Sequence, residues 1–199
     1  MKKILFLVGS LRNESLNKRL SLTAEKLLPE ECVATRYDLA DIPLFNGDFE
    51  RTAPESVHGL REAISSASVV FWTTPEHNCA LPGVVKNEID WAGRPMLSRN
   101  SAVGTPMNGV VATRSATNEI RSLVELNRMW DNFGGAAVGF GFVLQQALTR
   151  FVDHHGEETL GPVALKILKF NMDNLLRYIE GNGGAVASAS RYAYIGQMS

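Results

Sequence analysis

The sequence of 199 residues lacks the features that mark several classes of protein. Its two cysteines, Cys32 and Cys79, are far apart and form no CxxC motif, which argues against a disulfide scaffold and a zinc site. No apolar run approaches the roughly 18 residues of a membrane-spanning helix. The 20 basic and 21 acidic residues nearly cancel, so no basic excess is present for nucleic acid. We expect a cytoplasmic globular protein with no nucleic-acid, membrane or metal partner.

Short apolar runs alternate with longer amphipathic stretches along the whole chain. Strands are predicted at 2–9, 32–38, 68–74, 109–113 and 137–144, and helices at 16–28, 55–67, 82–91, 118–133 and 162–179. This alternation predicts an α/β fold with a parallel sheet and right-handed crossovers. We expect one domain over 1–180 and a tail over 181–199, disordered at its glycines and docked on a partner subunit through its tyrosines.

Three loops are expected to meet at one edge of this sheet. Ligands of open parallel sheets bind beyond the carboxyl ends of the strands, where the strand order reverses. With five strands in the order 2-1-3-4-5, the loops after strands 1, 3 and 4 converge there. These loops cover residues 9–17, 74–83 and 113–117.

The first of these loops, GSLRNESLN, has the chemistry of a phosphate cradle. It offers the hydroxyls of Ser10 and Ser15, the guanidinium of Arg12, the amide of Asn17 and the N–H groups of a helix start. It matches neither the GxxxxGK[ST] loop nor the GxGxxG turn. A second interpretation stays open, in which Ser15 is a plain N-cap and Arg12 a solvated surface residue.

The other two loops suit a flat ligand. Pro75 and Pro82 restrict the backbone of the second loop, which follows the most apolar strand. A rigid loop with exposed backbone N–H and C=O groups fits the edge of a heteroaromatic ring. The third loop, Thr113-Arg114-Ser115-Ala116-Thr117, is small and hydroxylated and precedes a helix.

At these loops the chain resembles a known family. GSLRNESLN and PEHNCALPGVVKNEIDW are similar to the corresponding segments of the NADPH-dependent FMN reductases, a family that includes quinone, chromate and azo-dye reductases. The resemblance extends over residues 2–179. It implies a flavodoxin-like three-layer sandwich, with a five-stranded parallel sheet in the order 2-1-3-4-5, that binds FMN and uses NADPH or NADH as co-substrate.

The resemblance also implies a role for each loop. Ser10, Arg12, Ser15 and Asn17 would hold the FMN phosphate; Pro75, Glu76, His77 and Asn78 would line the ribityl chain and one ring edge; Thr113, Arg114 and Ser115 would approach the ring. No catalytic side chain is implied, because the flavin carries the redox chemistry. Members of the family are commonly dimers or tetramers in which a neighbouring subunit closes the flavin site, so a homodimer or homotetramer is expected.

The implied activity is hydride transfer from NADPH through FMN to a small-molecule acceptor. Quinones, free flavin, azo dyes and metal oxyanions are the acceptor classes, and the nicotinamide and the acceptor would visit the flavin in turn. The alternative is a flavin-binding electron carrier or redox-sensing module without turnover, against which the near-neutral charge counts.

Two residues and one loop either depart from the family pattern or suggest a second function. His77 stands where the family usually has tyrosine, and tuning of the flavin and a packing role both remain open. Cys79 is interpreted as a small buried thiol in preference to a redox group. The third loop lacks the glycine-rich run that many relatives carry.

Overall fold

An open, mainly parallel sheet with helices on both faces forms the body of the protein. The computed structural model describes residues 1–94, 100–116, 119–139, 141–155, 157–182 and 192–194. The strands are β1 (Lys2–Val8), β2 (Cys32–Arg36), β3 (Val69–Thr74), β4 (Pro106–Ala112), β5 (Ala136–Ala137), β6 (Gly141–Leu144), β7 (Phe151–His154), β8 (Glu157–Leu160) and β9 (Tyr192–Tyr194). The helices are α1 (Leu16–Glu25), α2 (Glu55–Ser65), α3 (Gly83–Ala92), α4 (Arg121–Asn132), α5 (Ala147–Arg150) and α6 (Pro162–Arg177).

The strand order is β2-β1-β3-β4-β6-β9, with the short β5 paired to β4. All of these pairs are parallel, so the predicted flavodoxin-like order 2-1-3-4-5 is confirmed, with β5 and β6 together in fifth place. The fifth strand was expected to be continuous over 137–144. It is divided because Gly139 has a φ of 72°, which extended backbone does not adopt.

The sheet separates two apolar clusters, because successive side chains of a strand point to opposite faces. On one face, Ile4 and Phe6 of β1 pack with residues of α1 and α6. On the other, Leu5 and Leu7 pack with residues of α2, α3 and α4. All six residues of β3 are buried, as expected of a central strand covered on both faces.

Two buried tryptophans hold irregular segments against the core through hydrogen bonds. Trp91 and Trp130 are both buried, as their apolar surroundings in the sequence predict. The indole N–H of Trp91 donates to the Pro43 carbonyl at 2.8 Å, and that of Trp130 donates to the Thr105 carbonyl at 2.9 Å. Each ring therefore buries apolar area while anchoring a loop backbone.

The C-terminal third differs from the expectation in two places. Phe151–His154 and Glu157–Leu160 form the antiparallel hairpin β7–β8, where no strand was predicted. After α6 the chain turns at Gly181, whose φ of 80° ends the helix, and β9 then pairs with β6 at the sheet edge. The expected disorder of Gly183 and Gly184 concerns residues that lie outside the described ranges. Thr117 of the third loop and residues 95–99 also lie outside these ranges.

Among the described helices, none combines the length and the apolar character needed to traverse a bilayer.

Candidate functional site

The three loops predicted to converge do line one pocket, which has a volume of about 350 Å³ at the carboxyl edge of the sheet. We call it the three-loop pocket. Its lining residues are Ser10, Arg12, Glu14, Ser15, Leu16, Asn17, Pro75, Glu76, His77, Ala112, Thr113, Arg114, Ser115 and Glu119. Every predicted site residue except Asn78 is in this set.

Gly9 allows the first loop to lie against the second. Its N–H donates to the Thr73 carbonyl at 2.7 Å. A Cβ atom at this position would lie 2.7 Å from the hydroxyl oxygen of Thr74 and closer still to Val85. The loop therefore leaves β1 along a path that only glycine permits.

Ser15 is the N-cap of α1. Its hydroxyl accepts a hydrogen bond of 3.3 Å from the backbone N–H of Lys18, and the residue is buried. The other N–H groups of the first turn have no partner within the helix and carry the positive end of its dipole. The N-cap interpretation thus describes one role of Ser15, and a contact between its hydroxyl and a phosphate stays a prediction.

Asn17 connects the first loop to the third. Its amide nitrogen donates to the Ala112 carbonyl at 2.9 Å, and its amide oxygen accepts from the Ala112 N–H at 2.8 Å. The side chain is buried and positions the start of α1 against the end of β4. The predicted phosphate contact of Asn17 stays a prediction beside this positioning role.

Glu76 links the second loop to α4. Its side chain is only 3% exposed, and its two oxygens accept from the Arg121 guanidinium at 3.0 Å and from the Ser122 N–H at 3.1 Å. The hydrogen bond to Glu76 raises the pKa of Arg121 above its ordinary value. Glu76 thereby satisfies an N–H group at the start of the helix, where a carboxylate is also favoured by the dipole.

The far end of the same loop is also held by α4, since the Leu81 N–H donates to the Glu125 carboxylate at 3.0 Å. Arg121, Ser122 and Glu125 were not predicted as site residues. Arg121 and Glu125 are four residues apart, so the sequence alone places both side chains on one face of the predicted helix. Which loop that face meets depends on the packing of the whole sheet.

A tight turn projects from the second loop. His77 and Ala80 exchange two backbone hydrogen bonds of 3.0 Å, and the two residues between them, Asn78 and Cys79, have φ values of 51° and 64°. Two successive positive φ values define a type I′ turn, which asparagine tolerates well. Cys79 at the tip is exposed, so the expectation of a buried thiol was wrong.

The third loop is held by backbone hydrogen bonds from the residues that follow β6. The Thr113 carbonyl accepts from the Ala147 N–H at 2.7 Å, and the Ser115 carbonyl accepts from the Gln146 N–H at 3.0 Å. The Thr113 hydroxyl accepts from the Ser115 N–H at 3.0 Å. The two hydroxylated residues are thus held in place, while Arg114 between them is exposed.

The donors of the pocket match a phosphate monoester. Arg12 is exposed, and no carboxylate within the described ranges forms an ion pair with it. The Ser10 hydroxyl and the first turn of α1 lie beside it in the same pocket wall. A guanidinium, a hydroxyl and a helix N-terminus together form a site for a small anion.

The chain is similar in sequence and in structure to proteins that are named as reductases or oxidoreductases. It is 32% identical to a 2-hydroxy-1,4-benzoquinone reductase of Burkholderia sp over 127 residues, which is 61% of this chain and 69% of that protein. It is 35% identical to a quinone reductase of Pseudomonas putida over 132 residues, 60% of this chain and 68% of that one. The flavoenzyme NAD(P)H:(acceptor) oxidoreductase FerB of Paracoccus denitrificans superposes with a TM-score of 0.77 at 27% identity, over 92% of this chain and 99% of that chain.

The fold is also shared with more distant proteins. A flavodoxin, WrbA-like protein of Agrobacterium tumefaciens superposes with a TM-score of 0.61 at 13% identity, covering 92% of this chain and 99% of that chain. The family model of the NADPH-dependent FMN reductases matches residues 2–148, which include all three loops of the pocket. The chain belongs to the NADPH-dependent FMN reductase family.

Proposed function

We propose that this protein is an FMN-dependent NAD(P)H oxidoreductase that reduces quinone-type acceptors. The observation that carries the proposal is the three-loop pocket, which is lined by the start of α1, by the second and third loops, and by Arg12, a cation without an ion-pair partner among the described residues. Two of the relatives described above are named as quinone reductases. When bound, FMN would supply the two-electron redox chemistry, accepting hydride from NAD(P)H and passing it to the acceptor.

The first loop would hold the phosphate end of the cofactor. Arg12 would contribute a charge-assisted hydrogen bond, and Ser10 with the N–H groups of α1 would complete the set of donors. Ser15 keeps the helix start ordered through its capping bond, and Asn17 holds that start against β4. One phosphate cradle with a single arginine favours FMN over a dinucleotide flavin.

The second and third loops would hold the ring system. The backbone of the second loop is anchored at Glu76 and at Leu81, so its N–H and C=O groups keep fixed directions. The third loop is pinned through Thr113 and Ser115. Because these loops are held in place before binding, they would orient a flat ring with little loss of conformational entropy.

The acceptor and the nicotinamide would use the same open side of the pocket. Both are flat groups that must lie against the ring for transfer, so one leaves before the other enters. Free flavins, azo dyes and metal oxyanions are further acceptor classes that such an open site admits. No protein side chain is needed as a nucleophile, since the residues described here bind and orient.

A homodimer or homotetramer is part of the proposal. Large apolar side chains remain exposed in the segment after β2, among them Leu44 and Phe49. In the proposed oligomer, a second subunit would cover these side chains. Sedimentation equilibrium of the purified protein measures the oligomeric state, and a monomer at micromolar concentration would contradict this part.

Anaerobic stopped-flow spectroscopy tests the activity. NADPH alone is expected to bleach the absorbance of the FMN-loaded protein in one turnover, and a benzoquinone added afterwards is expected to restore it. Steady-state rates should give parallel lines in double-reciprocal plots. Protein that retains FMN through gel filtration but is not bleached by NADPH or NADH would instead be a flavin-binding module.

A further inference from the structure

The three-loop pocket contains one side chain whose acid–base chemistry the proposed function does not yet use. His77 follows Glu76 in the second loop, lines the pocket and is exposed. An exposed imidazole buries little apolar area, so packing does not explain its presence at this position. The ring is free to contact a ligand and to exchange protons with water.

The backbone on both sides of His77 is held in place. Its N–H and C=O groups exchange hydrogen bonds of 3.0 Å with those of Ala80 across the tight turn. On the other side, the Glu76 carboxylate accepts from the Arg121 guanidinium and from the Ser122 N–H at the start of α4. Only the side-chain torsions of His77 therefore remain to be ordered when a ligand contacts the imidazole.

The other charged side chains of the pocket are poorly suited to release a proton at neutral pH. Among the described lining residues they are Arg12, Arg114, Glu14, Glu76 and Glu119. Guanidinium groups do not lose a proton in proteins, and ionised carboxylates only accept hydrogen bonds. Histidine is the side chain that ordinarily holds and releases a proton between pH 5 and 8. His77 is thus the described residue of this pocket that can transfer a proton under those conditions.

Charged and titratable groups surround His77 on three sides. The first loop brings Arg12 and Glu14, and the third loop with the segment before α4 brings Arg114 and Glu119. Helix α4 and the second loop itself bring Arg121, Glu125, Glu76 and the exposed thiol of Cys79. A pH dependence belongs to His77 only if it disappears in variants of His77 itself.

We propose that His77 is a catalytic residue that donates a proton to the acceptor. The inference rests on the proposed reductase function and names the group that completes its second half. Reduction of a benzoquinone to a hydroquinone takes two electrons and two protons. The reduced flavin is oxidised as it gives a hydride, which carries both electrons and one proton.

The second proton comes from the imidazolium of His77. Its N–H bond breaks and an O–H bond forms at the quinone oxygen that would otherwise carry the negative charge. The neutral imidazole, which is exposed, then takes a proton from water. Acceptors whose reduction consumes a proton should depend on His77, whereas acceptors that take up electrons alone should not.

Tuning of the flavin is the competing role for His77, and it has a different signature. A side chain that tunes the flavin changes the rate of bleaching by NADPH and the rates with every acceptor. Proton donation changes only the rates with acceptors that take up a proton. Ferricyanide accepts one electron and no proton, so it separates the two roles.

Steady-state kinetics with two acceptors test the assignment. In His77→Ala, kcat/KM for a benzoquinone is expected to fall about 100-fold, at the lower end of what a positioned general acid contributes. The rate with ferricyanide and the anaerobic bleaching by NADPH are expected to stay unchanged. His58→Ala is the matched control, since His58 is an exposed histidine of α2 and is not among the residues that line the pocket.

Two further variants separate proton transfer from hydrogen bonding. His77→Gln keeps a hydrogen-bond donor that cannot transfer its proton, so it should lose as much benzoquinone activity as His77→Ala. His77→Tyr supplies a phenolic proton and should recover part of that activity.

The pH profile adds a signature that a merely structural role would not give. Wild-type kcat/KM for benzoquinone is expected to fall as pH rises between about 5 and 8, because the imidazolium is lost. The fall should be absent in His77→Ala and displaced to higher pH in His77→Tyr.

Nuclear magnetic resonance of the histidine rings gives a readout without turnover. Hydroquinone added to the oxidised, FMN-loaded protein is expected to shift the ring signals of His77, which are assigned by their loss in His77→Ala. The ring signals of His58 are expected to stay in place.

The assignment of His77 and the reductase function fail in different ways. Equal losses with benzoquinone and ferricyanide, an unchanged benzoquinone rate in His77→Ala, or unshifted His77 signals overturn the assignment and leave the reductase function standing. A protein that neither NADPH nor NADH bleaches overturns the reductase function, while shifted His77 signals in that protein still support contact between the imidazole and the acceptor.

Discussion

Asn17 and Ala112 are joined by two hydrogen bonds of 2.9 and 2.8 Å between residues that are 95 positions apart in the sequence. The amide of Asn17 satisfies both the N–H and the C=O of Ala112, and both residues are buried. The pair holds the start of α1 against the end of β4. One side chain therefore contributes directly to the relative position of the first and third loops.

Replacing Asn17 with alanine is expected to lower the free energy of unfolding by about 2–4 kcal/mol, because two buried backbone groups lose their partners. FMN affinity is expected to fall as well, since the loops are no longer held together. Urea denaturation and calorimetry measure the two effects. Asn13→Ala in the exposed part of the same loop is the control, and equal stability of the two variants would contradict the role of Asn17.

Replacing Arg12 with alanine is expected to weaken FMN binding roughly 10- to 100-fold without unfolding the protein. Arg12 is exposed, so the core stays intact, while a charge-assisted contact to phosphate contributes about 1.5–3 kcal/mol. Isothermal titration of apoprotein with FMN measures the affinity. Arg51→Ala removes the same charge from another exposed loop and should have no effect. Unchanged affinity in Arg12→Ala would show that the guanidinium is not a phosphate ligand.

Variants of Glu76 and Arg121 distinguish the contribution of the helix cap to stability from the contribution of the ion pair. Glu76→Ala is expected to lower the free energy of unfolding by about 1–2 kcal/mol, because the Ser122 N–H at the start of α4 loses its acceptor. It should also weaken FMN binding by releasing the second loop. Arg121→Ala keeps that cap and removes a side chain that is 59% exposed, so stability should hardly change. Equal losses in the two variants, measured by thermal denaturation, would assign the effect to the ion pair.

Glu88 is expected to make the stability of the protein depend on pH. Both carboxylate oxygens are buried without a hydrogen-bond partner among the described residues, and desolvation raises the pKa of Glu88 from 4.5 to about 8. Between these values the folded state binds the proton and the unfolded state does not, so stability falls as pH rises from about 4.5 to 8 and then levels off.

Glu88→Gln removes this dependence. The variant is expected to match the wild type near pH 4 and to exceed its stability above pH 8 by several kcal/mol, at about 1.4 kcal/mol for each pKa unit. Urea denaturation across this pH range gives the difference. Glu62→Gln on the exposed face of α2 is the control. A constant difference between Glu88→Gln and the wild type at all pH values would contradict a raised pKa.

Removal of residues 181–199 tests the role of the tail. The truncation takes away β9 and leaves the outer edge of β6 without a partner strand. The melting temperature and the stability of the oligomer are expected to fall, while the spectrum of bound FMN is retained. A shorter truncation that ends after Tyr194 keeps β9 and serves as the control. Loss of FMN from the longer truncation would place the tail in the outer wall of the site.

The positions of the strands and the chemistry of the loops could be predicted from the sequence because both are local properties, whereas the order of the strands followed from the resemblance to the NADPH-dependent FMN reductases. The unbroken apolar run of β3 identifies a strand covered on both faces, and flanking helical patterns then require parallel pairing. The polar residues of GSLRNESLN stand between a strand and a helix, so their position at the carboxyl edge follows directly.

The tertiary structure alone decided which groups those loops contact. The partner of Asn17 is 95 residues away and the partners of Glu76 are 45 and 46 residues away, distances over which no periodic pattern carries information. The exposure of Cys79 follows from a turn with two positive φ values, and the division of the fifth strand follows from Gly139. Hydrophobic periodicity specifies which face of an element is buried, whereas hydrogen-bond partners between distant segments exist only once the whole sheet has assembled.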